Sequence, residues 1–133
     1  MNLDPDSTAP DVRSTAAPAI DAEALARLDE LDPGGRNGLL PRVLTTYLGS
    51  QQRLLAQLRL GRDQQDLAAV HRVAHTLKSS SASIGALELS RLCADVESRI
   101  REKALDGLSV QLDRLLAESQ RVADAVRAML GHG

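Results

Sequence analysis

The sequence predicts an all-α fold, an antiparallel up-down-up-down four-helix bundle with a short additional N-terminal helix. Apolar residues recur at every third or fourth position through most of the chain, as they do on the buried stripe of a helix. No segment shows the period-two alternation of a strand, and no proline follows Pro41 to interrupt a long helix. Aromatic residues make up only 1% of the chain, so the core must be built from Leu, Val, Ile and Ala, a composition that favours helices.

The first 20 residues differ in composition from the rest. They hold three of the five prolines, several Ser, Thr and Asp residues, and few large apolar side chains. Such a segment buries too little apolar surface to offset the entropy of ordering it. We therefore expect residues 1–20 to be a flexible tail or linker and residues 21–133 to be the bundle domain. Asp21 is a good N-cap for the short first helix, which is expected to end at Leu31, before Pro33.

Four longer helices are expected to follow. The second spans about Leu39 to Leu60, and the third begins near Asp63 as its N-cap, with Asp66 in its first turn and Gly85 at its end. The fourth and fifth helices are defined by their apolar stripes and by the glycine between them. Their markers are Leu89, Leu92, Cys93, Val96 and Ile100 for the fourth, Gly107 for the connection, and a start near Ser109 for the fifth.

Charge and cysteine content restrict the possible partners. Lys and Arg number 16 against 18 Asp and Glu, a net charge of −2, so binding to a nucleic acid backbone is not expected. The shortage of aromatic side chains excludes the stacking platforms that hold single strands. The single cysteine, Cys93, cannot form an internal disulfide and suits a reducing cytoplasm. No apolar run approaches the roughly 20 residues that span a bilayer, so this domain is expected to be cytoplasmic, without membrane contact.

The usual signatures of a self-contained active site are missing from the sequence. There is no Gly-rich phosphate loop, no paired-cysteine metal motif, and no helix with the His and Glu spacing of zinc proteases. Nothing orients a Ser and a His as parts of a triad. An autonomous enzyme is therefore not expected.

The third helix carries the residues that point to chemistry. Its core stripe is displaced by one residue, about 100° around the helix, from a second stripe that includes His75 and Lys78. His75 is thus predicted at the rim of the buried face, with Lys78 one turn further on and the small Ser79 beside it. A largely neutral imidazole is a nucleophile, Lys78 would lie where a phosphoryl group on the ring carries its charge, and small neighbours leave room for a second protein.

Other interpretations of the polar residues compete with this one. His75 could be an ordinary polar residue on a helix flank, and the pair His71 and His75 has the spacing of two ligands for a transition metal. Cys93 lies on an apolar stripe, where a buried structural thiol is expected instead of a ligand. His71 and Arg72 are expected to add positive potential near His75, and His132 is placed in the C-terminal tail. Four acidic residues are expected on solvated helix faces: Asp95, Glu97, Glu102 and Asp124.

The segment from Ala74 to Ser81, followed by Gly85-Ala86, resembles the signature of histidine-containing phosphotransfer (HPt) domains of two-component phosphorelays. That signature has a His, any residue, then Leu and Lys, then Gly, Ser or Ala, with Gly-Ala about ten residues after the His. The similarity extends over about residues 21 to 130 and includes flanking positions outside the motif. Those positions are Asp66, Arg72, Leu89, Leu92, Cys93 and Glu97.

The resemblance implies specific roles for residues of the third helix. His75 would accept and donate the phosphoryl group through Nε2, Lys78 would help to hold the phosphoryl oxygens, and Gly85 would mark the end of the phospho-accepting helix. Ser79 stands where the family often has Gly, and its small size would still permit a partner to dock closely.

The partners that the resemblance implies are receiver domains of a hybrid sensor kinase, of a response regulator, or of both. The receiver would supply Mg²⁺ and an acidic pocket. This chain would supply the histidine and a docking surface that includes Leu25 and Leu28. It is expected to be a monomer with no cofactor of its own. The sequence leaves open a free-standing shuttle or a C-terminal module of a hybrid kinase. The alternative function is a helical adaptor that binds a kinase or receiver without being phosphorylated.

Overall fold

The computed structural model describes residues 18–131, which form five α-helices and contain no strand. The helices are α1 (Ala22–Glu30), α2 (Leu39–Asp63), α3 (Leu67–Ser83), α4 (Leu87–Arg101) and α5 (Leu108–Met129), with a single 3₁₀ turn at Pro33–Gly35 between α1 and α2. Around the bundle α3 packs against α2 and α4, α4 packs against α5, and α5 closes against α2. The predicted all-α fold with a short N-terminal helix is confirmed.

The core is aliphatic, as the composition predicts, and one polar layer crosses it. Fully buried Leu, Val and Ile side chains from α2 to α5 fill most of the interior. In the polar layer the Tyr47 hydroxyl lies 2.9 Å from the Ser81 Oγ, and the Gln51 amide donates to the Tyr47 hydroxyl and to the Ser119 carbonyl. These buried polar groups satisfy one another across α2, α3 and α5 and hold the three helices in one register.

The predicted boundary between the second and third helices is wrong. Asp63 is the last residue of α2, and it is Asp66 that caps α3 by accepting a 3.1 Å hydrogen bond from the Ala69 amide. Gly61 does not end α2; a Cβ there would lie 3.2 Å from the Cβ of Ala69, so the glycine permits close approach of α3. The chain turns at Gln65 instead, whose φ of 57° is left-handed.

The short α1 is anchored to the turn between α3 and α4, beside the helix that carries His75. Asp21 caps α1 as predicted, and its own amide donates a 2.8 Å hydrogen bond to the Gly85 carbonyl. Gly85 has a φ of 84°, and a Cβ there would lie 2.6 Å from the Cβ of Ala24. A glycine is thus required both by the backbone angle and by the packing of α1.

Most of the predicted N-terminal tail lies outside the described residues. Of its last residues, Ile20 is buried in the core and Ala19 packs against the core. Within residues 18–131, none of the helices has the length and apolar character that crossing a bilayer requires.

Candidate functional site

His75 lies on the exposed side of α3, at the rim of the core. Its side chain is 63% exposed, although Ala74 and Leu77 on the same helix are completely buried. The helical period places the apolar neighbours inward and leaves the imidazole facing solvent. The structure therefore places this side chain where a second macromolecule can reach it.

One carboxylate on α4 connects His75 with Lys78. The Nδ1 atom of His75 lies 2.7 Å from Oε2 of Glu97, and the Lys78 ammonium donates a 2.7 Å hydrogen bond to Oε1 of the same residue. The Glu97 side chain is only 8% exposed, whereas that of Lys78 is 34% exposed. A buried carboxylate thus uses both of its oxygens to hold the two residues that the sequence singled out.

The placement of Glu97 on a solvated helix face is wrong, because α4 packs tightly against α3 at this position. Glu97 immediately follows the buried Val96 and lies one turn after the buried Cys93. That spacing puts it on the edge of the apolar stripe of α4, next to the neighbouring helix. The sequence does contain a signal for Glu97 as a member of the site. Its carboxylate lies on the edge of an apolar stripe, within a bundle that presents a histidine.

The contact with Glu97 determines which ring nitrogen of His75 is available for chemistry. An ionised carboxylate only accepts hydrogen bonds, so Nδ1 must carry the proton that is shared with Glu97. In the neutral ring the other nitrogen, Nε2, then holds a free lone pair. No residue of the described range 18–131 makes a hydrogen bond to Nε2. The nucleophilic atom of the imidazole is therefore the one that faces solvent.

Glu97 is ionised because of the charges around it. The hydrogen bond from Lys78 holds the pKa of the Glu97 carboxyl below its ordinary value, assisted by His75, against the opposing effect of burial. His71, one turn before His75, has its Nε2 3.9 Å from Oε2 of Glu97, so it adds a second imidazole beside the same oxygen. The backbone at Lys78 is also held, because its carbonyl accepts a 2.9 Å hydrogen bond from Ser90 on α4.

On the C-terminal side of His75 the exposed surface of α3 is formed mainly by small residues. Ser79, one turn further along α3, is exposed, and so are Thr76, Ala82 and Ser83. The Ser83 hydroxyl donates to the Ser79 carbonyl, so this hydroxyl folds back onto the helix. Apart from Lys78, whose ammonium is held by Glu97, no long side chain of α3 beyond His75 is exposed, which leaves space for a partner above the imidazole.

Within residues 18–131, the other polar residues that the sequence singled out do not assemble a second site. Burial and the nearby negative charge of Glu97 raise the pKa of the Cys93 thiol to about 12, so the thiol is protonated, as the prediction of a buried structural cysteine requires. Among residues 18–131 there is no group of three or more His, Cys, Asp and Glu side chains that could hold a metal ion. Glu102 and Asp124 are exposed as predicted, whereas Asp95 is half-buried and accepts hydrogen bonds from Arg99 and Gln111. The predicted tail position of His132 lies outside the described residues.

Comparison with known proteins places this chain in a family. A family model described as "Hpt domain" matches residues 42–129. Histidine-containing phosphotransfer protein 1 of Oryza sativa subsp. japonica is 28% identical over 90 residues, which cover 66% of this chain. The same alignment spans 61% of the length of that rice protein.

Two solved structures share the fold. The crystal structure of histidine-containing phosphotransfer protein B from Pseudomonas aeruginosa superposes with a TM-score of 0.76 at 23% identity and covers 89% of this chain and 99% of that one. The X-ray structure of a rice protein described as a histidine-containing phosphotransfer protein gives a TM-score of 0.73 at 21% identity. It covers 90% of this chain and 88% of the rice chain.

Proposed function

The chain belongs to the Hpt domain family, and from that membership we propose that it relays a phosphoryl group between receiver-domain aspartates through a phosphohistidine at His75. The observation that carries the proposal is the 2.7 Å contact between Nδ1 and Glu97, which leaves Nε2 exposed as the nucleophile. The expected partners are receiver domains of a hybrid sensor kinase, of a response regulator, or of both. The relay would take place in the cytoplasm, with this chain as a monomer.

The transfer step follows from the protonation of the ring. The Nε2 lone pair attacks the phosphorus of an aspartyl phosphate, an N–P bond forms, the P–O bond to aspartate breaks, and the aspartate leaves as a carboxylate. The phosphorylated ring keeps its proton on Nδ1 and gains positive charge, which the adjacent Glu97 carboxylate stabilises. In the reverse step the Glu97 carboxylate keeps the ring oriented while an incoming aspartate attacks the phosphorus and displaces Nε2 of the ring.

Lys78 and Ser79 serve the incoming phosphoryl group and the incoming protein, respectively. The Lys78 ammonium has three N–H donors and uses one on Glu97, so two remain for phosphoryl oxygens. Ser79 permits close docking because its side chain is small and exposed. The acidic pocket and Mg²⁺ come from the receiver, so in-line transfer depends on positioning and neutralisation of charge. This chain is accordingly a phosphoryl carrier without an autonomous catalytic site.

The proposal is tested by incubating the full chain with a purified receiver domain that carries radiolabelled phosphate, in the presence of Mg²⁺. Label that is stable in base and labile in acid is expected on this chain, and it should be absent from His75→Gln. The matched control is His71→Gln, which changes an imidazole on the same helix and should still be labelled. Equal labelling of His75→Gln and the wild type would refute the assignment of His75. Stable binding of the receiver with no label on the wild type would support the adaptor function instead.

A further inference from the structure

The described helices differ strongly in charge. The α2 helix has four arginines and one acidic residue, Asp63, and α3 has one arginine, one lysine and no acidic residue. In contrast, α4 and α5 each have three basic and three acidic residues, and α1 has three acidic residues and one basic residue. The near-zero net charge of the chain therefore hides a positive α2–α3 side, which is also the side that carries His75.

Four arginines of α2 and α3 form no ion pair within residues 18–131: Arg42, Arg53, Arg59 and Arg72. Arg42 interacts electrostatically with Asp32 and Arg59 lines the groove between α2 and α5, which leaves Arg53 and Arg72 on the α2–α3 side. Arg53 on α2 and Arg72 on α3 are both exposed, and neither forms an ion pair with any acidic residue of the described range 18–131. Arg72 and Asp66 line the same groove between the two helices, but the Asp66 carboxylate caps α3 and makes no ion pair with Arg72. Most of the arginines on α4 and α5 are, by contrast, paired with carboxylates.

The register of the bundle places both arginines near the level of His75 along the bundle axis. The antiparallel α2 and α3 are in contact between Tyr47 and Ser81 at one end and between Gly61 and Ala69 at the other. Arg53 and His75 are each about midway between these contacts, so they lie at the same level along the bundle. Arg72 lies one turn before His75 on the same exposed side of α3. We call the exposed surface of Arg53, Arg72 and His75 the basic face.

We propose that the basic face docks the acidic rim of a phosphorylated receiver, with Arg53 and Arg72 as the residues that steer it and select it. The inference rests on the proposed function. In the receiver, the aspartyl phosphate and the carboxylates that hold its Mg²⁺ together carry more negative than positive charge. The receiver surface around this pocket therefore complements a face of unpaired guanidinium groups. Because Arg53 and Arg72 are exposed, their role lies in the encounter with the receiver and in the choice of receiver, and not in the chemical step.

This role predicts a characteristic kinetic pattern. Exposed charge pairs contribute modestly, so each arginine replaced by Gln should lower the second-order rate constant of transfer by about two- to fivefold. Arg53→Glu/Arg72→Glu, which reverses both charges, should lower it further. The saturating rate constant should change by less than about twofold, because the reacting atoms keep their positions. The loss should shrink as salt increases, since the Debye length is about 8 Å at 0.15 M ionic strength.

The test uses a panel of purified receiver domains that differ in the charge of the surface around their phosphorylated aspartate. Each is phosphorylated with acetyl phosphate and Mg²⁺, and transfer to the full chain is followed in rapid-quench experiments at low and high salt. Arg114→Glu is the matched control, because Arg114 is an exposed arginine on α5 in the groove between α4 and α5. Thermal melts establish that every variant is folded.

The outcomes separate this inference from the proposed function. If no receiver labels the wild type, the proposed function fails. If receivers label it, but at rates that are independent of salt and equal in Arg53→Glu/Arg72→Glu and Arg114→Glu, the proposed function stands and this inference is overturned. Faster transfer from acidic than from basic receivers, lost selectively in Arg53→Glu/Arg72→Glu, supports it. Association of the chain with itself that the same double variant abolishes would overturn it, since a second copy would then occupy the face.

Discussion

Replacing Glu97 is the perturbation that best separates the chemistry of the site from its packing. In Glu97→Gln the side-chain carbonyl can still accept a hydrogen bond from Nδ1 of His75, but the negative charge is lost. In Glu97→Ala the hydrogen bonds to both His75 and Lys78 are removed. The ring is then free to place its proton on either nitrogen, and nothing balances the positive charge of the phosphorylated ring.

The expected losses follow from the two hydrogen bonds and their burial. A hydrogen bond to a charged group contributes about 1.5–3 kcal/mol, which corresponds to roughly a 10- to 150-fold lower transfer rate in Glu97→Ala. A smaller loss, about tenfold, is expected for Glu97→Gln, which keeps the orientation of the ring. The cost to folding should be modest, about 1–2 kcal/mol, because Lys78 is exposed enough to be solvated when its partner is removed.

The assay is single-turnover transfer from one phosphorylated receiver at saturating concentration, combined with urea unfolding of each variant. The saturating rate constant should fall in the order wild type, Glu97→Gln, Glu97→Ala, with half-saturating receiver concentrations that stay close to the wild-type value. Asp95→Ala, a half-buried acidic residue on the same helix, is the control and should transfer at the wild-type rate. A saturating rate in Glu97→Ala equal to that of the wild type would refute the role of Glu97 in orienting and stabilising the ring.

Three further predictions concern the frame that holds the site. Gly85→Ala should destabilise the fold by about 2 kcal/mol in urea unfolding, because a left-handed backbone angle is combined with a Cβ clash against α1. The control is Gly131→Ala, which should cost less because Gly131 has a φ of 79° but no atom within 4 Å of the added Cβ. Equal losses of stability in the two variants would contradict the packing argument. Hydrogen bonds led by that from the Leu39 amide lower the pKa of Asp32, so its stabilising contribution should be complete at neutral pH and be lost as pH falls through the lowered pKa. The difference in unfolding midpoint between wild type and Asp32→Asn should therefore shrink in acid, and a constant difference would contradict this. Tyr47→Phe should cost about 1–2 kcal/mol by leaving buried polar groups without a partner, and an unchanged urea midpoint would show that the polar layer contributes nothing.

Helices are the part of this protein that local sequence determines, because the three- and four-residue spacing of apolar side chains is a property of short segments. The same spacing places His75 at the rim of the buried face of α3. The short segment from Ala74 to Ser81 is enough to predict that His75, Lys78 and Ser79 belong to one site. The helix ends are less predictable, since a glycine such as Gly61 is compatible both with the end of a helix and with close packing inside one. In the structure Gly61 allows the Cβ of Ala69 to approach α2 closely, and this role depends on a helix that follows Gly61 in the chain.

Only the tertiary structure decided which groups meet across helices. Glu97 is 22 residues from His75 in the chain, and its contact exists because α3 and α4 pack together in one register. The opposite case is the basic face, where Arg53 on α2 and Arg72 on α3 are exposed and form no ion pair with an acidic residue of positions 18–131. Local periodicity shows which face of each helix is buried. The rotation and register of one helix against another are set by the fit of many side chains at once, and these determine which charge lies beside the histidine.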